Sequence, residues 1–205
     1  MGLRKILTDK DPALHKVCKK VVNFDSKLFK LLDDMHDTLI ESGGVGLAAP
    51  QVGILRRVVL VDVGMEDNEI IELINPEMLE TDGEQYGPEG CLSVPGKYGL
   101  VKRPMYAKVR AQDRNGDWFE AEGEELIARC FCHELDHLDG IVYTEVMDRY
   151  LTEEELPQAW YNLRADMINK PAPLLHPETH EPMTAEDLAD VFCQELVKQD
   201  RKSVV

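Results

Sequence analysis

The segment His133-Glu-Leu-Asp-His137 holds the residues best placed to do chemistry. On a helix, residues four apart share one face, about one turn up the axis. Two imidazoles at that spacing can bind one metal ion. Glu134, one step round, cannot share that position but can reach a water beside the metal, as a general base must. Surface helices carry the pattern by chance as well, but the residues around this one are apolar. A third ligand is needed, and a fourth position must stay open. Downstream, Glu153, Glu154 or Glu155 could serve. Upstream, Cys91 in Glu89-Gly-Cys-Leu-Ser93 offers a thiolate in a glycine-flanked loop, although a free cysteine is more often a small core hydrophobe.

Other candidates read as packing. Cys130 lies one turn before His133 on nearly the same face and is expected in the core. Cys132 points about 100° away around the helix, so it packs rather than ligates. His176 and His180 mimic ligand spacing, but Pro177 sits between them and no helix is indicated. The segment Gly44-Val-Gly-Leu-Ala-Ala-Pro-Gln-Val-Gly53 is glycine-rich. It is no phosphate loop, because Gly-Lys-Ser/Thr and a preceding strand are both missing. It is either a tight packing segment or a place where backbone approaches a substrate, with Gln51 offering an amide donor.

The elements that must position these residues are legible in outline. Phe24–Ile40 has helical apolar spacing, with Asp25 or Ser26 as cap and Gly43-Gly44 as its end. Arg57–Val63 reads as a buried strand bounded by Gly64, and Glu72–Asn75 as a shorter strand closed by Pro76. Tyr106–Gln112 and Trp118–Ala121 flank Asp113-Arg-Asn-Gly-Asp117, in which Asn115-Gly116 is a strong hairpin signal. Glu124–Leu138 is a second long helix stopped by Gly140. Strands clustered between two helices predict an α+β fold, with small mixed or antiparallel sheets around a central metal-binding helix. From about Leu151 the texture changes: Pro157, Pro171, Pro173, Pro177 and Pro182 punctuate the chain, and Thr184–Gln199 reads as one acidic helix. The expected organisation is a catalytic domain over 1–150 and a Pro-rich acidic helical extension over 151–205.

Composition bounds the setting. At 205 residues, 43% hydrophobic and 30% charged, the chain fits one large domain or a domain plus an appendage. A net charge of −16 repels nucleic acid as a whole, so any RNA would be met through a local patch. Five cysteines, an odd and sparse set, argue against a disulfide framework and for a reducing cytosol. No apolar stretch approaches the ~18 residues of a membrane span. The opening Met-Gly-Leu-Arg-Lys-Ile has neither a signal peptide's apolar core nor, with Ile6, a myristoylation signal.

Taken together, three ordered segments resemble the peptide deformylases: Gly44-Val-Gly-Leu-Ala-Ala-Pro-Gln51, Glu89-Gly-Cys-Leu-Ser93 and His133-Glu-Leu-Asp-His-Leu-Asp-Gly140, over roughly residues 3–150. The resemblance implies Cys91, His133 and His137 as ligands of one divalent ion, Fe²⁺ in its native form with Zn²⁺ or Ni²⁺ found after purification. It implies Glu134 as general base and then general acid, with the Leu92 backbone N–H and the Gln51 amide holding the oxyanion. It places Val45, Gly46, Glu89, Leu126, Cys130 and His133 around a methionine pocket, and Arg103 and Asp136 behind the site as a bracing pair. The implied reaction removes the formyl group from the formyl-methionine of nascent chains and releases formate.

The implied partners are N-formyl-methionyl peptides, with transient ribosome contact, no membrane and no direct nucleic-acid binding, in the cytoplasm. Two departures stand out: Cys132 where the family often has Gln, and Tyr98 where some members carry a substrate-contacting Arg. The rivals are a thermolysin-like metallopeptidase using a downstream Glu and a non-catalytic formyl-methionine binder. Some deformylases end in a basic helix thought to dock near the ribosomal exit; residues 145–205 carry 13 acidic and 6 basic residues, the wrong sign for that. The apolar residues Leu188, Val191, Phe192 and Leu196 fall on one face of Thr184–Gln199 and need a partner, either the protein's own core or a second copy in a homodimer. The stretches Glu155–Asn162, His176–Thr179 and Ala185–Ala189 resemble the lead-in segment of stand-alone tryptophan synthase β chains, without any of their cofactor-binding core.

Overall fold

A computed structural model describes residues 2–62, 70–156 and 159. Helix α1, Ser26–Ser42, is capped by Asp25, whose carboxylate accepts from the Lys27 and Leu28 amides at 2.9 and 3.2 Å. It stops at Gly43, whose φ of 65° suits a residue without a β-carbon. Strand β1 is Gly46–Ala48 and is followed by a short 3₁₀ turn over Ala49–Val52. Then come β2 Val58–Asp62, β3 Ile70–Asp82, β4 Gln85–Gly90, β5 Tyr98–Arg103, β6 Tyr106–Gln112 and β7 Trp118–Glu124. Helix α2 is Glu125–Leu138, and β8 is Arg149–Tyr150.

The strands form a five-stranded sheet in the order β1-β2-β3-β6-β7 and a three-stranded sheet in the order β4-β5-β8. Every strand pairing among the described residues is antiparallel, so the expected α+β class holds and the sheets are antiparallel rather than mixed. Around β2 the larger sheet is covered on both faces, which is why that strand reads as an apolar run. Val58 and Leu60 face α1 together with Leu31, Leu32, Met35 and Leu39. Val59 and Val61 face α2 together with Phe131, Leu135 and Leu138. A smaller cluster of Leu14, Val94, Val101, Val142 and Tyr143 underlies the second sheet.

One strand reading needs correction. Pro76 does not close β3, which runs on to Asp82. Asn75 takes a left-handed φ of 52°, and the register with β6 shifts between Ile74 and Glu77. The proline therefore sits in a bulge, where no ladder hydrogen bond needs its missing N–H. The hairpin between β6 and β7 has the expected five-residue connection, Asp113–Asp117, and β7 runs three residues further than expected, to Glu124. The Asp113 carboxylate accepts from the Asn115 and Asp117 amides and organises the turn, with Gly116 at φ 93°. Strands β1, β4, β5 and β8 carry too many Gly, Pro and polar residues to announce themselves. Among the described residues no helix is long and apolar enough to cross a membrane. Thr184–Gln199 and nearly all of the synthase-like segment lie outside the described residues, as do Val63 and Gly64.

Candidate metal centre and active site

Helix α2 packs its apolar stripe against β6, β7 and β1 and so carries His133, Glu134 and His137 into the interior, all buried. Strand β4 ends beside them and turns at Cys91, where the Val94 amide donates to the Cys91 carbonyl at 2.9 Å. The ligand atoms of Cys91, His133 and His137 all lie within 4.8 Å of one another, forming the one such cluster among the described residues. Cys91 Sγ is 3.2 Å from His137 Nε2, and the two imidazoles stand nearly perpendicular at 85°. His133 Nδ1 lies 2.7 Å from Glu89 Oε1, which leaves Nε2 to face the cluster.

One sulfur and two imidazole nitrogens make a donor set suited to a divalent transition ion with a fourth position open. Glu134 is consistent with that fit: its Oε2 is buried and has no hydrogen-bond partner among the described residues. Burial pushes the Glu134 carboxyl up, the His133 charge opposes this, and Glu89 adds to it, for a value of about 7. Such a carboxylate can both take and return a proton near neutral pH.

The loop of small residues now has a geometric reason. A β-carbon at Gly46 would meet Glu134 and Cys130, so β1 passes directly over the general-base candidate. Gln51 Oε1 accepts from the Ala48 amide at 2.8 Å, which turns its Nε2 toward Cys91 Sγ at 3.5 Å and Ser93 Oγ at 3.3 Å. Leu92 packs its side chain into the α1 cluster. Val45 and Leu126 are exposed near that loop and at the start of α2, while Cys130 is buried beside Gly46. Cys132 is half-buried and outside the ligand cluster, its thiol raised by burial to about 11.

The Glu89 carboxylate is turned to His133, Arg103 and Arg129. Burial would raise its pKa, but the hydrogen bonds from His133 and Arg103 win and hold it well below the usual carboxylate range. Arg103 also donates to Asp136 at 2.6 Å, so the bracing pair is in contact. Glu155 instead pairs with Arg149 at the surface, and Glu153 and Glu154 do not join the ligand cluster. A downstream glutamate as third ligand is thereby disfavoured. Sequence reasoning missed Arg129, Ser93 and Tyr143. Arg129 left one signal, a charge one turn before His133 on a buried stripe. Tyr143, stacked on His133 with its hydroxyl donating to the Lys97 carbonyl, left none.

A helix presenting two imidazoles and a buried carboxylate against antiparallel sheets, with a cysteine sulfur as third donor, defines a class of metal-dependent hydrolases. The polypeptide deformylase family model matches residues 3–153. The peptide deformylase of Lachnoclostridium phytofermentans is 57% identical over 145 residues, covering 71% of this chain and 89% of its own. A crystal structure of a peptide deformylase from Legionella pneumophila superposes with a TM-score of 0.69 at 39% identity, over 83% of this chain and all of that one. A Met-Ala-Ser-bound class I type b peptide deformylase from Acinetobacter baumannii superposes with a TM-score of 0.67 at 33% identity, over 71% and 98%. The chain belongs to the polypeptide deformylase family.

Proposed function

We propose that this protein removes the formyl group from the N-terminal formyl-methionine of nascent polypeptides and releases formate. The observation that carries this reading is the cluster of the Cys91 sulfur and two imidazoles with Glu134 beside it, whose buried Oε2 has no hydrogen-bond partner among the described residues. Cys91, His133 and His137 would hold a divalent ion, which would supply Lewis acidity and lower the pKa of a neighbouring water. Glu134 takes the proton of the attacking water as its oxygen adds to the formyl carbon. The Gln51 amide and the Leu92 backbone N–H stabilise the negative charge on the former carbonyl oxygen. As the C–N bond breaks, Glu134 delivers the proton to the departing amine, and the formic acid left behind ionises to formate.

Val45, Gly46, Glu89, Leu126 and Cys130 are assigned to the methionine pocket, a largely apolar lining suited to a thioether. The Met-Ala-Ser complex of the Acinetobacter relative supports an N-terminal methionine as the recognised group. Fe²⁺ is the proposed native ion, and zinc outcompetes iron for such donors on affinity. Residues 1–150 are the proposed catalytic domain, working in the cytoplasm in transient contact with the ribosome. Residues 151–205 are an extension assigned to self-association. A non-catalytic binder would have no use for Glu134. The deciding experiment is formate release from formyl-Met peptides by anaerobically purified protein, with metal analysis on the same sample. Metal-loaded protein that binds these peptides but releases no formate would favour the binder.

A further inference from the structure

We infer that Arg129 is a positioning residue for the metal centre, locking the Glu89 carboxylate that aims His133. The inference rests on reading Cys91, His133 and His137 as the metal ligands. Glu89 Oε1 accepts from His133 Nδ1 at 2.7 Å and from Arg103 Nη2 at 2.8 Å. Glu89 Oε2 accepts from Arg103 Nε at 3.1 Å and from Arg129 Nη1 at 2.9 Å. A carboxylate has about four acceptor directions, and these four donors fill them. Arg103 by itself would leave Glu89 gripped by one bidentate pair from β5. Arg129 adds a second anchor from α2, the helix that carries His133.

The rest of the guanidinium ties that helix to the other donor strand. Arg129 Nη1 and Nη2 both donate to the Val101 carbonyl of β5 at 3.3 Å, and Nε donates to Gln85 Oε1 of β4 at 3.4 Å. Gln85 Nε2 in turn donates to the carbonyls of Pro104 and of Glu125, the first residue of α2. Strand β4 delivers Glu89 and leads straight into Cys91. One side chain therefore fixes the helix bearing the two nitrogen donors against the strand leading to the sulfur donor. Burying a guanidinium is unfavourable, and an apolar side chain would fill this interior position more cheaply. Packing alone does not account for an arginine that is 3% exposed.

Outer-shell partners of a ligating histidine are worth about 10–100-fold in metal affinity. Arg129→Met in the full chain, stripped of metal, should weaken Zn²⁺ binding by about that factor in competition with a chromophoric chelator. It should also shift the visible absorption of the Co²⁺ form, which reports donor geometry. Arg129→Lys keeps the charge but not the fork, and should fall between Arg129→Met and wild type. If Arg129→Met does not fold, as judged by circular dichroism, Arg129→Lys carries the test. Wild-type Zn²⁺ affinity and cobalt spectrum in the folded variant would overturn the inference, whatever its thermal stability. Failure of the unaltered chain to bind one Zn²⁺ would instead overturn the metal-site reading beneath it.

Discussion

Gly46 lies so close to Glu134 that a β-carbon on it would sit 2.5 Å from Glu134 Oε1 and 2.7 Å from Cys130 Sγ. Both neighbours are buried, so neither can swing into solvent. The glycine is required by space rather than by backbone conformation, since its φ is not positive. Gly46→Ala should therefore displace the carboxylate. A misplacement of about 1 Å can cost about 10²-fold in rate. The expected result is a fall of at least about that size in kcat/KM, with metal content unchanged. Overpacking should lower stability by about 1–3 kcal/mol. Normal kcat/KM in the variant would show that Glu134 has slack the structure does not reveal.

Glu134→Gln separates proton transfer from metal binding. Glu134 is not among the clustered donors, so metal stoichiometry should be kept. Activity toward formyl-Met-Ala should fall by about 10²- to 10⁴-fold, the usual worth of a positioned acid–base group. A near-wild-type rate would remove the carboxylate from the mechanism.

Cys91→Ala and Glu155→Gln form a paired test of the third ligand. Cys91 Sγ lies within the donor cluster, whereas Glu155 is held at the surface by Arg149. Metal analysis after dialysis should show loss of metal from the first variant and full occupancy in the second. The reverse pattern would restore the peptidase-like arrangement.

Asn75 shows why parts of this fold were hidden in the sequence. His133, Glu134 and His137 were readable because they sit in one short motif with fixed spacing, Cys91 stood out only through the family resemblance, and β2 was readable because both its faces are apolar. Asn75-Pro76 looked like the end of a strand, because nothing local reports that a distant segment supplies partners. Asn75 Oδ1 accepts from the Val21 amide at 2.7 Å, and its Nδ2 donates to the Val21 carbonyl and Gln112 Oε1. Those contacts hold the bulge and let β3 continue. Arg129 was equally illegible: its partners Glu89, Gln85 and Val101 come from strands whose own sequences read as loops. Asn75→Ala should leave the Val21 backbone unpaired and destabilise the protein by about 2–4 kcal/mol. Urea unfolding would register this as a lower midpoint with an unchanged slope.

Hydrogen bonds to the second sheet continue as far as Leu151. Asp148 donates its amide to the Leu100 carbonyl, and Leu151 donates to that of Tyr98. Strand β8 pairs Tyr150 with Gly99 and Arg149 with Leu100. Arg149 then grips Glu155. These bonds support β5, which carries Arg103 and Val101 behind the metal cluster. A chain ending at Lys170 retains all of them, and every residue assigned to the site lies before Gly140. It should bind one metal ion and deformylate short peptides at a near-wild-type rate, with any change confined to oligomeric state or stability. A chain ending at Val146 loses β8 and uncovers that flank of β5. It should fold less stably and hold metal more weakly. Formate release, metal content and size-exclusion chromatography on the two truncations would check both halves. A Lys170-terminated chain that is folded and metal-loaded yet inactive would mean that the extension helps to build the active site.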